Sequence, residues 1–272
     1  MSNSEKKRVL IITQEMKPYL DDSDMAEISR RLPQYIQENG MEIRVLMPRF
    51  GNINERRHRL HEVVRLSGMN IIVNEDDYPL IIKVASLPGA RIQVYFLDNE
   101  DFFKRKAVFR DANDKFFEDN PERMIFFCKG VLETVKRMDW PPDVIHCHGW
   151  MTSLVPLYLK TAYKNEAVFR NSKVVYSLYK NTFSESFTKE FLKKAPISDA
   201  IEEADLEAYS GCDNTGLNKG GVHYSDAVIV GSEELDKDLV KRTEGADKPV
   251  LDFVNGEDYL AAYQSFYGEL TD

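Results

Sequence analysis

Hydrophobic positions recur along this chain with two different periods, which predict strands and helices in alternation. Short apolar runs rich in β-branched residues, at 8–13, 42–47, 144–148, 174–178 and 227–230, are typical of buried parallel strands. Apolar residues at helical spacing follow at 25–36 and again, over a longer stretch, at 121–138. The alternation predicts an α/β fold with a doubly wound, mostly parallel, Rossmann-like sheet.

The remaining segments elaborate this pattern. Runs at 71–73, 80–85 and 91–97 predict three more strands, with turns at Asp76-Asp77 and Pro88-Gly89. A helix is predicted at 152–162, and a polar, helix-rich stretch separates the last two core strands. With no composition shift that would mark a linker, we expect a disordered start at 1–7, one domain over 8–256 and a helical tail at 257–272.

The loop after the first strand is the most unusual local feature. In an open α/β sheet, the helix that follows this loop directs its N-terminal amides at a bound anion. Here the loop holds Asp21, Asp22, Ser23 and Asp24, with Asp24 placed to cap the helix and Glu27 three residues later as in a capping box. The carboxylates would repel a diphosphate. Coordination of a hard cation is an alternative, although the spacing matches no calcium loop.

Charge and composition narrow the class of protein. The chain has 36 basic and 45 acidic residues, a formal net charge of -9, which disfavours nucleic acid and anionic membranes as partners. The basic run 56–59 is flanked by glutamates and predicts a solvated surface. Neither a membrane-spanning run nor a secretory signal is present, so a cytoplasmic protein is expected. Cys128, Cys147 and Cys212 fit reduced thiols, and we expect no cofactor.

Three side chains near the end of the strand at 144–148 are candidates for ligand contact. His146 and His148 are two residues apart, so both side chains face the same side of the sheet, near its carboxyl edge where binding crevices open. A metal would need further ligands that the sequence does not supply nearby, and a hydrogen-bonded structural role is the competing interpretation. Trp150 either stacks on a sugar or closes the core.

Two other groups of residues invite a functional interpretation. Lys219, Gly220 and Gly221 precede a strand and form a possible anion contact, although close packing of a helix end onto that strand also requires glycine. Tyr179 and Lys180 directly follow the strand at 174–178, which brings them to the same crevice.

Several of these segments, taken in order, resemble the N-terminal domain of bacterial glycogen synthases and plant starch synthases. The likeness covers nearly the whole chain, and it is specific because unrelated motifs keep their order and spacing. The matching motifs are RVLIIT at 8–13, EMKP at 15–18, EIRVLMPRFG at 42–51, VYFLDN at 94–99 with Phe103 and Arg105 after it, PDVIHCHGWMTSLVPLYLK at 142–160, and KGG at 219–221 with YSD at 224–226. The resemblance implies the N-terminal half of a GT-B glycosyltransferase.

The departures from that family fall on its ligand-binding positions. The resemblance places Asp21, Asp22, Ser23, Asp24 and Met25 where the family has the Lys-x-Gly-Gly-Leu loop that meets the nucleotide diphosphate. Gly149 stands where many members have aspartate, Phe109 where a tyrosine is usual, and Tyr179-Lys180 where a His-Asn pair lies beside the transferred glucose. The remaining crevice, with His146, His148, Trp150, Arg105, Tyr179 and Lys180, is expected to bind glucan.

These observations lead to three functional hypotheses. The first is a pseudoenzyme with no catalytic residues of its own that binds α-glucan or a protein of glycogen metabolism. The second is a glucosyltransferase subunit that transfers from ADP-glucose or UDP-glucose to α-1,4-glucan, completed in trans by a separate nucleotide-binding domain, since the chain ends at Asp272 where members of the family continue. The third is another enzyme that uses His146, His148 or Tyr179 for acid-base chemistry on a small sugar.

Overall fold

A ten-stranded sheet forms the centre of the molecule in a computed structural model, which describes residues 6–20, 23–180 and 183–272. Its strand order is β10-β9-β8-β7-β1-β2-β6-β5-β3, with β4 paired to β5. The strands are β1 Arg8–Thr13, β2 Glu42–Pro48, β3 His61–Glu62, β4 Met69–Val73, β5 Asp76–Ser86, β6 Gln93–Asp98, β7 Val144–His148, β8 Lys173–Leu178, β9 Ala227–Val230 and β10 Val250–Leu251.

Helices cover both faces of this sheet, as the alternating sequence pattern predicts. They are α1 Asp24–Glu38, α2 Glu55–His58, α3 Glu100–Phe103, α4 Asn120–Met138, α5 Leu154–Lys160, α6 Glu190–Lys194, α7 Asn214–Tyr224, α8 Lys237–Glu244 and α9 Tyr259–Thr271. Short 3-10 helices lie at Trp150–Thr152, Ala167–Phe169, Glu203–Tyr209 and Gly256–Asp258.

Strand β1 lies at the switch point of the sheet: the next strand, β2, is added on one side of β1, and the later strands β7, β8, β9 and β10 are added on the other. It pairs in parallel with β2 on one side and with β7 on the other. From β10 to β6 neighbouring strands are parallel, and β5 and β3 add an antiparallel edge. The predicted α/β fold with a mostly parallel sheet is therefore confirmed, and its crevice is expected at the carboxyl ends of β1 and β7.

Some predicted boundaries need correction. The N-cap of α1 is Ser23 rather than Asp24, because the Ser23 side chain accepts the Ala26 amide. Asp76 and Asp77 belong to strand β5 instead of a turn. The chain turns between Val73 and Asp76, which pair with each other, and Asn74 in this turn has a φ of +56°. The helix predicted at 152–162 is shorter, because a 3-10 turn precedes α5.

The segment after Gly256 forms helix α9, which packs beside α1 over the sheet. Tyr263, Phe266 and Tyr267 are buried there, and the Lys7 ammonium donates to the Thr271 carbonyl oxygen at 2.7 Å. The segment at 257–272 contains this helix, and its side chains belong to the same hydrophobic core as the sheet. The division into a domain and a tail stays a prediction.

Two observations concern the sequence-based expectations of reduced thiols and of a chain without a membrane-spanning helix. Cys128, Cys147 and Cys212 are all buried and free of disulfides. Within the described residues, no helix is both long enough and apolar enough to span a bilayer.

Candidate functional site

The crevice begins at the loop after β1. There the Gln14 side chain, held by Glu15, hydrogen-bonds the backbone that follows strand β7. Gln14 Oε1 accepts the Met151 amide at 3.1 Å, and the Gln14 amide nitrogen donates to the Glu15 carboxylate at 3.1 Å. Gly149, between β7 and the following 3-10 turn, has φ +85° and ψ 160°, a conformation that is essentially restricted to glycine. These contacts tie the end of β7 to the loop after β1.

The N-terminus of α1 is satisfied by groups of the chain itself. The Ser23 hydroxyl donates to the Glu15 carboxylate and its oxygen accepts the Ala26 amide at 3.2 Å. Lys17 forms an ion pair with Glu27 at 3.0 Å, and Asp24 is exposed in the first turn. Asp21 and Asp22 lie outside the described residues. A carboxylate therefore lies where an incoming phosphate would need hydrogen-bond donors.

The two candidate histidines lie on one side of the sheet, as their spacing predicts. Their ring centroids are 3.8 Å apart. His146 Nδ1 hydrogen-bonds the Tyr267 hydroxyl at 2.5 Å and its Nε2 hydrogen-bonds the Ser177 hydroxyl at 2.6 Å. His148 Nδ1 hydrogen-bonds the Tyr179 hydroxyl at 2.6 Å, whereas its buried Nε2 has no hydrogen-bond partner among the described residues. Neither ring is solvent-accessible.

Burial keeps this histidine pair neutral. It lowers the pKa of His148 to about 3, and burial together with the neighbouring His148 lowers the pKa of His146 well below its usual value. Burial likewise raises the pKa of Tyr179 and of Tyr267. A cluster of neutral imidazoles and phenols holds α9 on the sheet, and a ligand role for the two histidines stays a prediction.

The other crevice candidates occupy different environments. Tyr179 is buried against His148, whereas Lys180 is exposed and pairs with Glu234 at 2.6 Å. Arg105 forms an ion pair with Asp119 at 2.5 Å and lies 4.1 Å from the centre of the Phe117 ring. The structure therefore unites His146, His148 and Tyr179 in one cluster, while Lys180 and Arg105 form ion pairs outside it.

Trp150 lies in an aromatic cluster at the carboxyl edge of the sheet. Its ring centroid is 4.8 Å from that of Phe109 and 5.0 Å from that of Phe183. Phe116 stacks on Phe183 with their centroids 5.0 Å apart. Trp150 is 2 % exposed, so it forms the floor of this cluster, and its Nε1 has no acceptor within the part of the chain that the structure describes.

An open cavity of about 300 Å³ is lined by this aromatic cluster. The Arg110 guanidinium at its rim binds the Glu185 carboxylate through both oxygens, at 2.6 and 2.8 Å, and lies 5.4 Å from the centre of the Phe116 ring. Apolar rings beside a charged hydrogen-bonding pair suit a ligand with apolar faces and many hydroxyls. The lining residues are Ala107, Val108, Phe109, Arg110, Phe116, Trp150 and Phe183.

Gly220 and Gly221 lie on α7, away from this cavity. Close packing against neighbouring aromatic rings explains why both positions are glycine. A Cβ on Gly220 would come within 2.2 Å of the Tyr209 ring, and one on Gly221 within 2.6 Å of the Tyr176 ring. Lys219 lies 3.3 Å from the Asp238 carboxylate. The anion contact proposed for this triplet is not joined to the crevice and stays a prediction.

Several residues of the site escaped the sequence argument. Gln14, Ser177 and Tyr267 carry the hydrogen bonds described above, and Phe116 and Phe183 line the cavity. The spacing of Tyr259, Tyr263 and Tyr267, four residues apart, is a signal that could have revealed the buried stripe of α9. Within the described residues, no cluster of His, Cys, Asp and Glu could hold a metal ion.

The sheet topology defines the class of protein: a mostly parallel, Rossmann-like α/β fold of the kind that forms one half of a GT-B fold. A family profile described as the starch synthase catalytic domain matches residues 8–250. The chain belongs to this family and is homologous to the N-terminal half of glycogen synthase.

Curated relatives give the same result. The chain is 36% identical over 236 residues to glycogen synthase of Pelodictyon phaeoclathratiforme, covering 86% of this chain and 47% of the relative. It is 34% identical over 264 residues to glycogen synthase of Chlorobaculum tepidum, covering 97% and 52%. The chain thus spans about half the length of the curated relatives it matches.

A solved structure confirms the fold. The catalytic domain of starch synthase IV from Arabidopsis thaliana, bound to ADP and acarbose, superposes with a TM-score of 0.72 at 17% identity, covering 93% of this chain and 52% of that one. The match shows that this chain has the architecture of one half of that domain.

Proposed function

We propose that this protein binds α-glucan at the carboxyl edge of its sheet and does not transfer glucose by itself. The observation that carries the proposal is the open aromatic cavity of Phe109, Phe116, Trp150 and Phe183. It adjoins the loops after β6, β7 and β8, the edge at which α/β sheets bind ligands. Membership of the starch synthase catalytic domain family supports a glucan as the ligand.

The chemistry of the cavity suits a glucose polymer. Pyranose rings present apolar C–H faces that pack on aromatic side chains and a rim of hydroxyls that need hydrogen-bond partners. Phe116 is partly exposed and supplies such a face. Arg110 and Glu185 supply a donor and an acceptor at the rim.

The nucleotide side of the reaction is disfavoured by the contacts at α1. Glu15 and Ser23 already satisfy the helix start, and the family's lysine and glycines are replaced. A charge-assisted hydrogen bond contributes about 1.5 to 3 kcal/mol, so loss of the lysine alone weakens a diphosphate site by roughly tenfold to a hundredfold.

Calorimetric titration of the purified protein with maltoheptaose tests the proposal. We expect saturable binding that Phe116→Leu weakens by roughly threefold to tenfold, because leucine keeps the apolar volume and loses the aromatic face. Tyr35→Leu is the matched control, since Tyr35 is a partly buried aromatic residue of α1 outside the cavity. Absence of heat with both maltoheptaose and glycogen would rule out glucan binding and leave a protein of glycogen metabolism as the partner.

A glucosyltransferase subunit completed in trans is the second candidate. It is favoured by the observation that this chain corresponds to about half of each curated relative. Its test is to mix the protein with a separately produced C-terminal half of one of those glycogen synthases and to measure incorporation of labelled glucose from ADP-glucose into glycogen. Incorporation that requires both components would replace the first proposal.

A further inference from the structure

A second cavity, of about 620 Å³, lies in the outer helical layer between the 3-10 helix Glu203–Tyr209, α7 and α8. It shares no lining residue with the aromatic cavity. Its lining residues are Ala204, Glu207, Ala208, Ser210, Lys219, His223, Tyr224, Asp238, Lys241 and Arg242.

Cationic side chains dominate one part of this lining. Lys219 comes from α7, and Lys241 and Arg242 come from α8. Asp238 is shared, 3.3 Å from the Lys219 ammonium and 4.0 Å from the Lys241 ammonium, so one carboxylate serves two ammonium groups. Glu207 also lines the cavity, so three cationic groups face two carboxylates, a small local excess of positive charge on a chain whose formal net charge is -9.

His223 adds a further donor to the cavity. The Arg242 guanidinium lies 3.0 Å from His223 Nδ1, and because a guanidinium only donates, Nδ1 accepts and the ring proton is on Nε2. Burial, then Arg242 and then Lys248, lower the pKa of His223, which keeps the ring in this neutral form. The Lys248 ammonium donates to the His223 backbone carbonyl oxygen at 3.0 Å.

Apolar groups line another part of the cavity, beside Glu207 and Ser210. Ala204 and Ala208 present methyl groups, and Tyr224 presents its ring while its hydroxyl donates to the Asp205 carbonyl at 2.8 Å. The combination fits a small molecule with an anionic group at one end and a carbon skeleton at the other. The cavity is also within the size range of small-ligand sites.

We propose that this cavity binds a phosphate monoester of a small metabolite, with Lys219, Lys241 and Arg242 holding the phosphate. The site is separate from the crevice, so it does not depend on glucan binding. Arginine and lysine are the residues that most often bind phosphate, arginine through paired hydrogen bonds and lysine as a point charge.

The test is a titration of the intact protein with glucose 6-phosphate and, separately, with inorganic phosphate and with glucose. Calorimetry gives the affinity, and the ring proton resonances of His223, assigned with His223→Gln, report binding at the cavity. We expect saturable binding of glucose 6-phosphate that is tighter than binding of inorganic phosphate, with a shift of the His223 resonances, no binding of glucose, and weaker binding at higher salt.

Substitutions locate the site. Arg242→Ala and Lys241→Ala are each expected to weaken binding by roughly tenfold. Lys237→Ala removes an exposed ammonium from the same helix outside the cavity and should leave the affinity unchanged. The proposal is overturned if glucose 6-phosphate does not bind or binds no tighter than inorganic phosphate, if Arg242→Ala binds as tightly as the unmodified protein, or if the His223 resonances do not move.

Discussion

Gly149 is the residue whose backbone conformation constrains the crevice most. A Cβ at this position would lie 2.5 Å from Gln14 Oε1 and 2.8 Å from Met25 Cε. We therefore expect Gly149→Ala to lower the free energy of unfolding by about 3 kcal/mol or more, measured by urea denaturation, since strain of the backbone and displacement of Gln14 add together.

Gly40 serves as a comparison that separates backbone strain from the displacement of Gln14. Gly40 also has a positive φ, +97°, but a Cβ there would meet nothing within 4 Å. Gly40→Ala should cost only about 1 to 2 kcal/mol, from backbone strain alone. Equal losses in the two variants would contradict the role given to Gln14.

Protonation of His148 makes the stability depend on pH. The pKa of His148 is about 3 in the folded protein, because the ring is buried, and near 6.5 when unfolded. Above the unfolded value both states are neutral; below it only the unfolded state takes up a proton, so stability falls as the pH drops toward 3. The loss is about 1.4 kcal/mol per pH unit for each such histidine.

Replacing His148 with asparagine tests how much this histidine contributes to the pH dependence of stability. His148→Asn keeps a nitrogen near the Tyr179 hydroxyl and does not titrate, so the free energy of unfolding should depend less steeply on pH, by about 1.4 kcal/mol per unit between about pH 6 and 4. His61→Asn, at an exposed position, is the control and should leave the slope unchanged. An unaltered slope in His148→Asn would show that this ring is protonated in the folded state.

At the scale of elements, α9 is held on the sheet by tyrosines that can be tested in pairs. Tyr267→Phe leaves a buried His146 nitrogen without its 2.5 Å hydrogen bond, so a loss of about 1 to 3 kcal/mol is expected. Tyr259 lies two turns earlier, and its buried hydroxyl has no hydrogen-bond partner among the described residues. Tyr259→Phe should therefore be neutral or slightly stabilising; chemical denaturation compares the two, and similar losses would argue against the histidine contact.

Strands could be predicted from this sequence far better than side-chain environments. Strand β1 and strand β7 have the bounds that their apolar runs predict, because a fully buried parallel strand tolerates little else. The first residue of α1 was harder to predict, because Ser23 and Asp24 are both favourable N-cap residues and the sequence does not show which of them accepts an amide. The burial of His146 depends on α9, which lies more than a hundred residues away in the sequence, so no local pattern could reveal it.

At the scale of the whole molecule, one continuous sheet brings together two features with opposite consequences. Its carboxyl edge carries the aromatic cavity at which we propose glucan binding, and the same edge carries the start of α1, where Ser23 is hydrogen-bonded to Glu15. The chain matches about half of each glycogen synthase relative. Transfer requires the donor to be fixed against the acceptor in a cleft that excludes water, and these 272 residues supply one side of such a cleft.

We propose two obstacles to transfer by a polypeptide of these 272 residues, the acidic loop and the presence of one Rossmann-like half, and restoring the family's loop separates them. The triple variant Asp21→Lys, Ser23→Gly, Asp24→Gly should gain ADP affinity by roughly tenfold to a hundredfold over the unmodified protein in calorimetric titration, because it adds a charge-assisted contact and removes two carboxylates. A polypeptide of these 272 residues should still incorporate no labelled glucose from ADP-glucose into glycogen, with or without the triple variant. Asp76→Lys, a charge reversal of the same kind on strand β5, is the control and should not change ADP binding. Incorporation by the unmodified protein alone would contradict both obstacles, whereas unchanged ADP affinity in the triple variant would remove the loop from the explanation.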